Sequence, residues 1–115
     1  MTISLWHNPR CSKSRNALAL LEEQGAVVDV RLYLKEAPSA AELKNVLKLL
    51  GTSARDLMRK GEAVYKELGL KDVTSEVDLI TAMVEHPILI ERPLGLTKSK
   101  AVVGRPPEEI LTLLS

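Results

Sequence analysis

The opening run of the chain, residues 2–33, most constrains what it can fold into. An apolar stretch at Thr2 to Trp6 leads into the polar turn His7-Asn8-Pro9-Arg10, and Asn16 to Glu23 is rich in Ala and Leu. Ser12 or Ser14 is expected to cap that helix, and Gln24-Gly25 ends it, because glycine suits the position just past a helix end. Val27, Val28, Val30, Leu32 and Tyr33 then form a β-branched apolar run, read as a buried strand. Strand, helix, strand implies a parallel pair joined by a right-handed crossover.

The only cysteine of the chain, Cys11, falls at the strand-to-helix turn of that unit. The first N–H groups of a helix have no partners within the helix and carry partial positive charge, so a cysteine there is favoured as the thiolate. Arg10, Lys13 and Arg15 add cations within a few residues. Lone intracellular cysteines are commonly small buried hydrophobes. Neighbours of this polarity instead describe an electropositive turn, so Cys11 is read as a nucleophile.

Cys11-Ser12-Lys13-Ser14 has the spacing of a Cys-x-x-Cys redox pair whose second sulfur is replaced by serine. Such a site cannot close on itself. If Cys11 is redox-active, a thiol from outside the chain must resolve its adducts. His7 and Cys11 alone make a poor zinc site, so no metal is expected. Three residues separate Cys11 from Arg15, where the cysteine phosphatase loop has five, which disfavours a phosphatase cradle. Arg59, Arg92 and Arg105 each lie at a break in the pattern, two of them before proline, and arginine recognises oxyanions through its planar fork of donors.

The length of 115 residues fits one domain. With no Phe, the core must come from Leu, Val, Ile, Ala and Met. Sixteen Lys and Arg stand against fifteen Asp and Glu, and aromatic residues are only 3%, so neither nucleic acid nor a membrane surface is expected as a partner. The N-terminus lacks the basic and apolar regions of a secretory signal, no apolar run reaches spanning length, and one cysteine makes no internal disulfide. The expected compartment is the cytoplasm.

Between the second strand and Pro87 the pattern is helical. Ser39 with Glu42 matches a capping box ahead of a stripe of Leu43, Val46, Leu47 and Leu50 that stops at Gly51. Ser53 to Asp56 opens a second helical segment leading into Leu57-Met58-Arg59-Lys60. Ser75 to Asp78 opens another, with Leu79, Ile80, Met83 and Val84 on one stripe, ended at His86-Pro87. Ile88-Leu89-Ile90 is the candidate third strand, Leu96 to Val103 a further strand or hairpin, and Arg105 to Leu114 a closing helix.

His7-Asn8-Pro9-x-Cys11-x-x-Ser14-Arg15, Leu57-Met58-Arg59-Lys60, Glu67-Leu68-Gly69-Leu70, the block His86 to Pro93 and Gly104-Arg105-Pro106 together resemble the glutaredoxin-linked arsenate reductase family, in order and over essentially the whole chain. The resemblance implies an α/β, thioredoxin-like (glutaredoxin-like) core with a mixed sheet and a helical insertion between the second and third strands. It divides the single domain 1–115 into a core of about 1–34 and 87–115 and an insertion of about 35–86. It implies reduction of arsenate to arsenite, with Cys11 attacking arsenate, glutathione as co-substrate attacking the adduct, and glutaredoxin releasing the mixed disulfide. No tightly bound cofactor is implied. Arg59, Arg92 and Arg105 match the oxyanion-binding positions; His7, Ser14, Arg15 and Pro93 match supporting ones. A cis bond at Arg92-Pro93 is expected, since thioredoxin-like folds set a cis proline against the active cysteine.

The loop Arg10-Cys11-Ser12-Lys13-Ser14 departs from the Gly-Thr that well-known arsenate reductases carry between Cys and Ser, and the chain stops at Ser115, short of members with a longer tail. Both features resemble a related branch. Two other functions share the fold: a redox-responsive transcription regulator that binds RNA polymerase, and a general glutathione-dependent thiol reductase. The regulator often carries the Cys-x-x-Cys switch that this chain lacks.

Overall fold

A computed structural model describes residues 2–114. Met1 and Ser115, the bounds of the expected domain, lie outside the described residues. The described chain forms two compact units. Ala37–Glu91 is one, and the segments before and after it in the sequence make the other.

The first unit is built on a four-stranded mixed sheet in the order β2-β1-β3-β4, with β1 at Thr2–Trp6, β2 at Val27–Arg31, β3 at Leu94–Leu96 and β4 at Ala101–Val103. β1 pairs parallel with β2, from Thr2 with Val27 to Trp6 with Arg31, as the strand–helix–strand opening requires. β1 pairs antiparallel with β3, and β3 with β4, so Leu96 to Val103 is a hairpin extended two residues upstream. The helix α1, Ser12–Glu23, lies between the parallel strands in sequence, and Gly25 follows it with φ of +73°.

Strand alternation sends Ile3 and Leu5 to one face of β1, where Ala17 and Leu21 of α1 and Ile110 and Leu113 of the C-terminal segment close a core. Truncating Leu5 to Ala in such a core costs about 3 kcal/mol. The expected closing helix forms at Pro107–Leu114, as 3-10 helix. Gly95 on β3 admits it: a Cβ there would fall 2.6 Å from Leu113 Cδ1 and 2.7 Å from Ile110 Cδ1.

Two strand expectations are corrected. β2 is an edge strand, and Val27 is 63% and Val30 40% exposed, so its apolar run reflects β-propensity and not burial on both faces. Ile88-Leu89-Ile90 is no strand: Pro87–Leu89 is a 3-10 turn, and Ile90 makes only an isolated bridge with Met58. Pro87 has no N–H for a ladder, and Pro93 follows three residues after Ile90, so the run is too short to pair.

The second unit is helical, with α2 at Ala40–Leu50, α3 at Ala54–Leu57, α4 at Ala63–Glu67 and α5 at Glu76–Glu85. The Ser39–Glu42 capping box forms in both directions, at 3.1 and 2.9 Å. Leu43, Val46 and Leu47 of α2 and Leu79, Ile80 and Met83 of α5 are buried. The short α3 is fixed from outside its own turn: the Ala54 N–H donates to the Glu76 carboxylate, and Arg55 donates to Tyr65 Oη and to the carbonyls of Leu70 and Val73.

Candidate active site

Cys11 occupies the N-cap position of α1, in extended conformation, with no side-chain cap bond; the expected cap from Ser12 or Ser14 does not form. The turn before it is tied internally. Cys11 N–H donates to the Asn8 carbonyl at 3.0 Å, Arg10 N–H to Asn8 Oδ1 at 3.0 Å, and Arg15 Nη1 to the Pro9 carbonyl at 2.8 Å. Asn8 is buried and holds both ends of the turn, a part not read from the sequence although it lies within the His-Asn-Pro-x-Cys run. The available signal was an asparagine opening a short polar turn, where its side-chain oxygen accepts the backbone N–H two residues on.

Ser14 points inward instead of capping. Its Oγ accepts the Asn8 N–H at 3.1 Å and lies 2.6 Å from His7 Nδ1, and all three residues are buried. Burial and, after it, the positive charge of Arg15 hold His7 below its ordinary pKa. The ring is therefore neutral near pH 7, and one proton is shared between its Nδ1 and the Ser14 hydroxyl. His7, Ser14 and Arg15 thus converge on the turn that carries Cys11.

Burial pushes the Cys11 thiol up, but donors outweigh it. The Ser14 N–H, the Arg92 guanidinium and the Lys13 N–H all favour the thiolate, and the charge of Arg92 adds to them, so its pKa falls below the ordinary value. The sequence points to helix N–H groups and sequence-adjacent cations as the cause. Only the first holds. Arg10, Lys13 and Arg15 are exposed, Lys13 acts through its backbone, and the cation on the sulfur is Arg92 from the far end of the sequence.

Arg92 reaches Cys11 from the segment that enters β3. The Arg92–Pro93 bond is cis, as expected, and so is Arg105–Pro106, which was not expected. Pro93 is buried, and Arg105 Nε donates to the Arg92 carbonyl at 2.8 Å. Cys11, Arg92 and Arg105 therefore gather at one end of the sheet within the first unit. Arg59 belongs to the second unit. Its Nε meets Glu62 at 3.0 Å and its Nη1 meets Glu91 at 2.8 Å, and its backbone N–H donates to the Leu89 carbonyl at 2.7 Å. Burial lowers its affinity for a proton, but these two carboxylates more than offset that, and the guanidinium is held firmly charged.

The ArsC family profile matches residues 6–113. The chain belongs to the ArsC family. It is 51% identical to the uncharacterized protein YfgD of Escherichia coli (strain K12) over 114 residues, covering 97% of this chain and 96% of that protein. It is 49% identical to an arsenate reductase of Neisseria meningitidis serogroup A over 114 residues, with 97% of each chain covered. Among solved structures, the arsenate reductase from Vibrio cholerae superposes with a TM-score of 0.94 at 48% identity over 97% of each chain. The ArsC fold is thioredoxin-like, in accord with the mixed sheet and α1. Among the described residues, no helix is long and apolar enough to cross a membrane.

Proposed function

We propose that this chain is an oxidoreductase that reduces arsenate to arsenite, with Cys11 as the nucleophile and glutathione and glutaredoxin as the source of electrons. The observation that carries this reading is Cys11 at the N-cap of α1 with its thiolate favoured by the Arg92 guanidinium, a donor set of the kind that also suits an incoming oxyanion. Family membership supports arsenate as the oxyanion, since relatives at 40–49% identity carry the name arsenate reductase.

In the reaction, the Cys11 thiolate forms an S–As bond and water leaves. The glutathione sulfur then bonds the Cys11 sulfur as the S–As bond breaks, and that electron pair remains on arsenic, which passes from As(V) to As(III). The two thiol sulfurs supply the two electrons. A glutaredoxin dithiol exchanges with the Cys11–glutathione disulfide and restores the thiolate. With Cys11 the only cysteine of the chain, no internal sulfur can take the place of glutathione. Arg92 and Arg105 are assigned to the oxyanion, Arg59 is the third position the family resemblance nominates, and a reducing cytoplasm is the setting in which Cys11 stays a thiol.

The test is NADPH oxidation dependent on arsenate and coupled through glutathione reductase, glutathione and glutaredoxin. Activity that requires all components supports the reading. Reduction of small mixed disulfides with no arsenate-dependent rate makes the chain a thiol reductase instead, and capture of RNA polymerase without either activity makes it a regulator.

A further inference from the structure

Gly104 differs from the glycines at turns. Gly25, Gly51 and Gly69 have positive φ, a conformation that side chains resist; Gly104 does not. What Gly104 lacks is room. A Cβ on it would stand 2.8 Å from Pro93 Cγ, while its other neighbours, Ile110 Cδ1 at 3.6 Å and Ala17 Cβ at 3.7 Å, would be in ordinary contact. The conflict is therefore aimed at one residue, and a pyrrolidine ring cannot rotate away as the tip of a flexible side chain can.

The same stretch grips the backbone on either side of that ring. Gly104 N–H donates to the Pro93 carbonyl at 2.8 Å, one step beyond the Leu94–Val103 pair of the β3–β4 ladder. Arg105 Nε donates to the Arg92 carbonyl at 2.8 Å. Two consecutive residues thus hold two consecutive carbonyls, and the side chain leaving that segment is the one whose charge favours the Cys11 thiolate.

We infer that Gly104 is a positioning residue, which with Arg105 Nε clamps the Arg92–Pro93 segment so that the Arg92 guanidinium is aimed at Cys11. This rests on the reading of Cys11 as the nucleophile and Arg92 as its partner, and it adds a residue that touches neither the sulfur nor the oxyanion. Gly95 supplies the contrast. A methyl there also collides, but its three nearest atoms belong to the Leu113 and Ile110 side chains of the core and none to the Arg92–Pro93 segment.

The experiment measures the pH dependence of Cys11 alkylation by iodoacetamide, with thermal unfolding, on wild type, Gly104→Ala and Gly95→Ala. No arsenate enters, so failure of the arsenate reading leaves this result standing, and failure of this result leaves that reading standing. Gly104→Ala is expected to raise the apparent Cys11 pKa and to slow alkylation below it about fivefold or more, the effect of misaligning a charge-assisted donor. Gly95→Ala is expected to lower the unfolding temperature with the Cys11 titration unmoved. In an Arg92→Ala background, Gly104→Ala should add no further change, because it acts through Arg92. If Gly104→Ala does not fold, Arg105→Ala removes the second grip and must raise the Cys11 pKa likewise. A folded Gly104→Ala, or Arg105→Ala in its place, with a wild-type Cys11 titration overturns the inference; so does an equal shift in Gly95→Ala, or a full further shift on top of Arg92→Ala.

Discussion

Arg92 and Arg59 are the same side chain in opposite settings. Arg92 meets a sulfur, and its charge helps to make that sulfur a thiolate. Arg59 sits between Glu62 and Glu91, where its charge is already answered by two carboxylates. A guanidinium facing a thiolate gains from an arriving oxyanion with little to give up, whereas one held by two carboxylates must exchange partners first. The comparison separates an arginine tuned to chemistry from one that also carries part of its own unit's structure.

The largest effect is expected at the group Arg92 serves. Cys11→Ser should abolish arsenate turnover in the coupled assay while the circular dichroism spectrum stays that of the folded wild type, since the side chain forms no cap bond for α1. Residual turnover would mean that the guanidinium serves some other nucleophile.

Next, Arg92→Ala should lower kcat/KM for arsenate about a hundredfold, from loss of a preorganised donor worth roughly 3 kcal/mol. Arg92→Lys should recover only part of it, because a point charge does not reproduce the fork. Equal activity of the Lys variant and wild type would reduce the role of Arg92 to charge alone.

Arg59→Ala should show the other balance. Removing the ion pairs to Glu62 and Glu91 is expected to cost about 1 kcal/mol of stability in urea titration. Its loss of turnover should be smaller than that of Arg92→Ala. A turnover loss matching Arg92→Ala with unchanged stability would erase the distinction between the two arginines.

The smallest effect is in the pH dependence of stability. His7 is held below its ordinary pKa of about 6.5 in the folded chain, so as pH falls below that value the unfolded chain takes up the proton first and stability declines until the lower folded pKa is passed. Cys11 acts with the same sign at higher pH: its stabilisation is complete above the ordinary thiol value and is lost as pH falls through the lowered one. Urea unfolding at pH 7.5 and 5.5 should show a smaller decrease for His7→Gln than for wild type. Identical decreases would remove the neutral His7–Ser14 pair from the account of the turn.

Local chemistry was legible without coordinates. The capping box at Ser39 and Glu42, the glycine ends at Gly25 and Gly51, the parallel β1–β2 pair and the place of Cys11 at the start of α1 depend on residues within a few positions, or on a pattern that repeats at helix or strand period. The family motifs added the cis bond before Pro93 and nominated the arginines. What the chain itself determined is that one thiolate stands on a helix N-terminus and no second sulfur can resolve it. Tertiary structure decided the rest. Which strand lies at the edge depends on pairing partners, so Val27 and Val30 read as buried and are not. Ile88-Leu89-Ile90 had strand composition, but prolines on both sides denied it a ladder. Most of all, the cation that stabilises the Cys11 sulfur is not among the three beside it in sequence. Electrostatic attraction depends on distance through space, and only the return of the chain through Arg92–Pro93, gripped by Gly104 and Arg105, brings that charge to the sulfur.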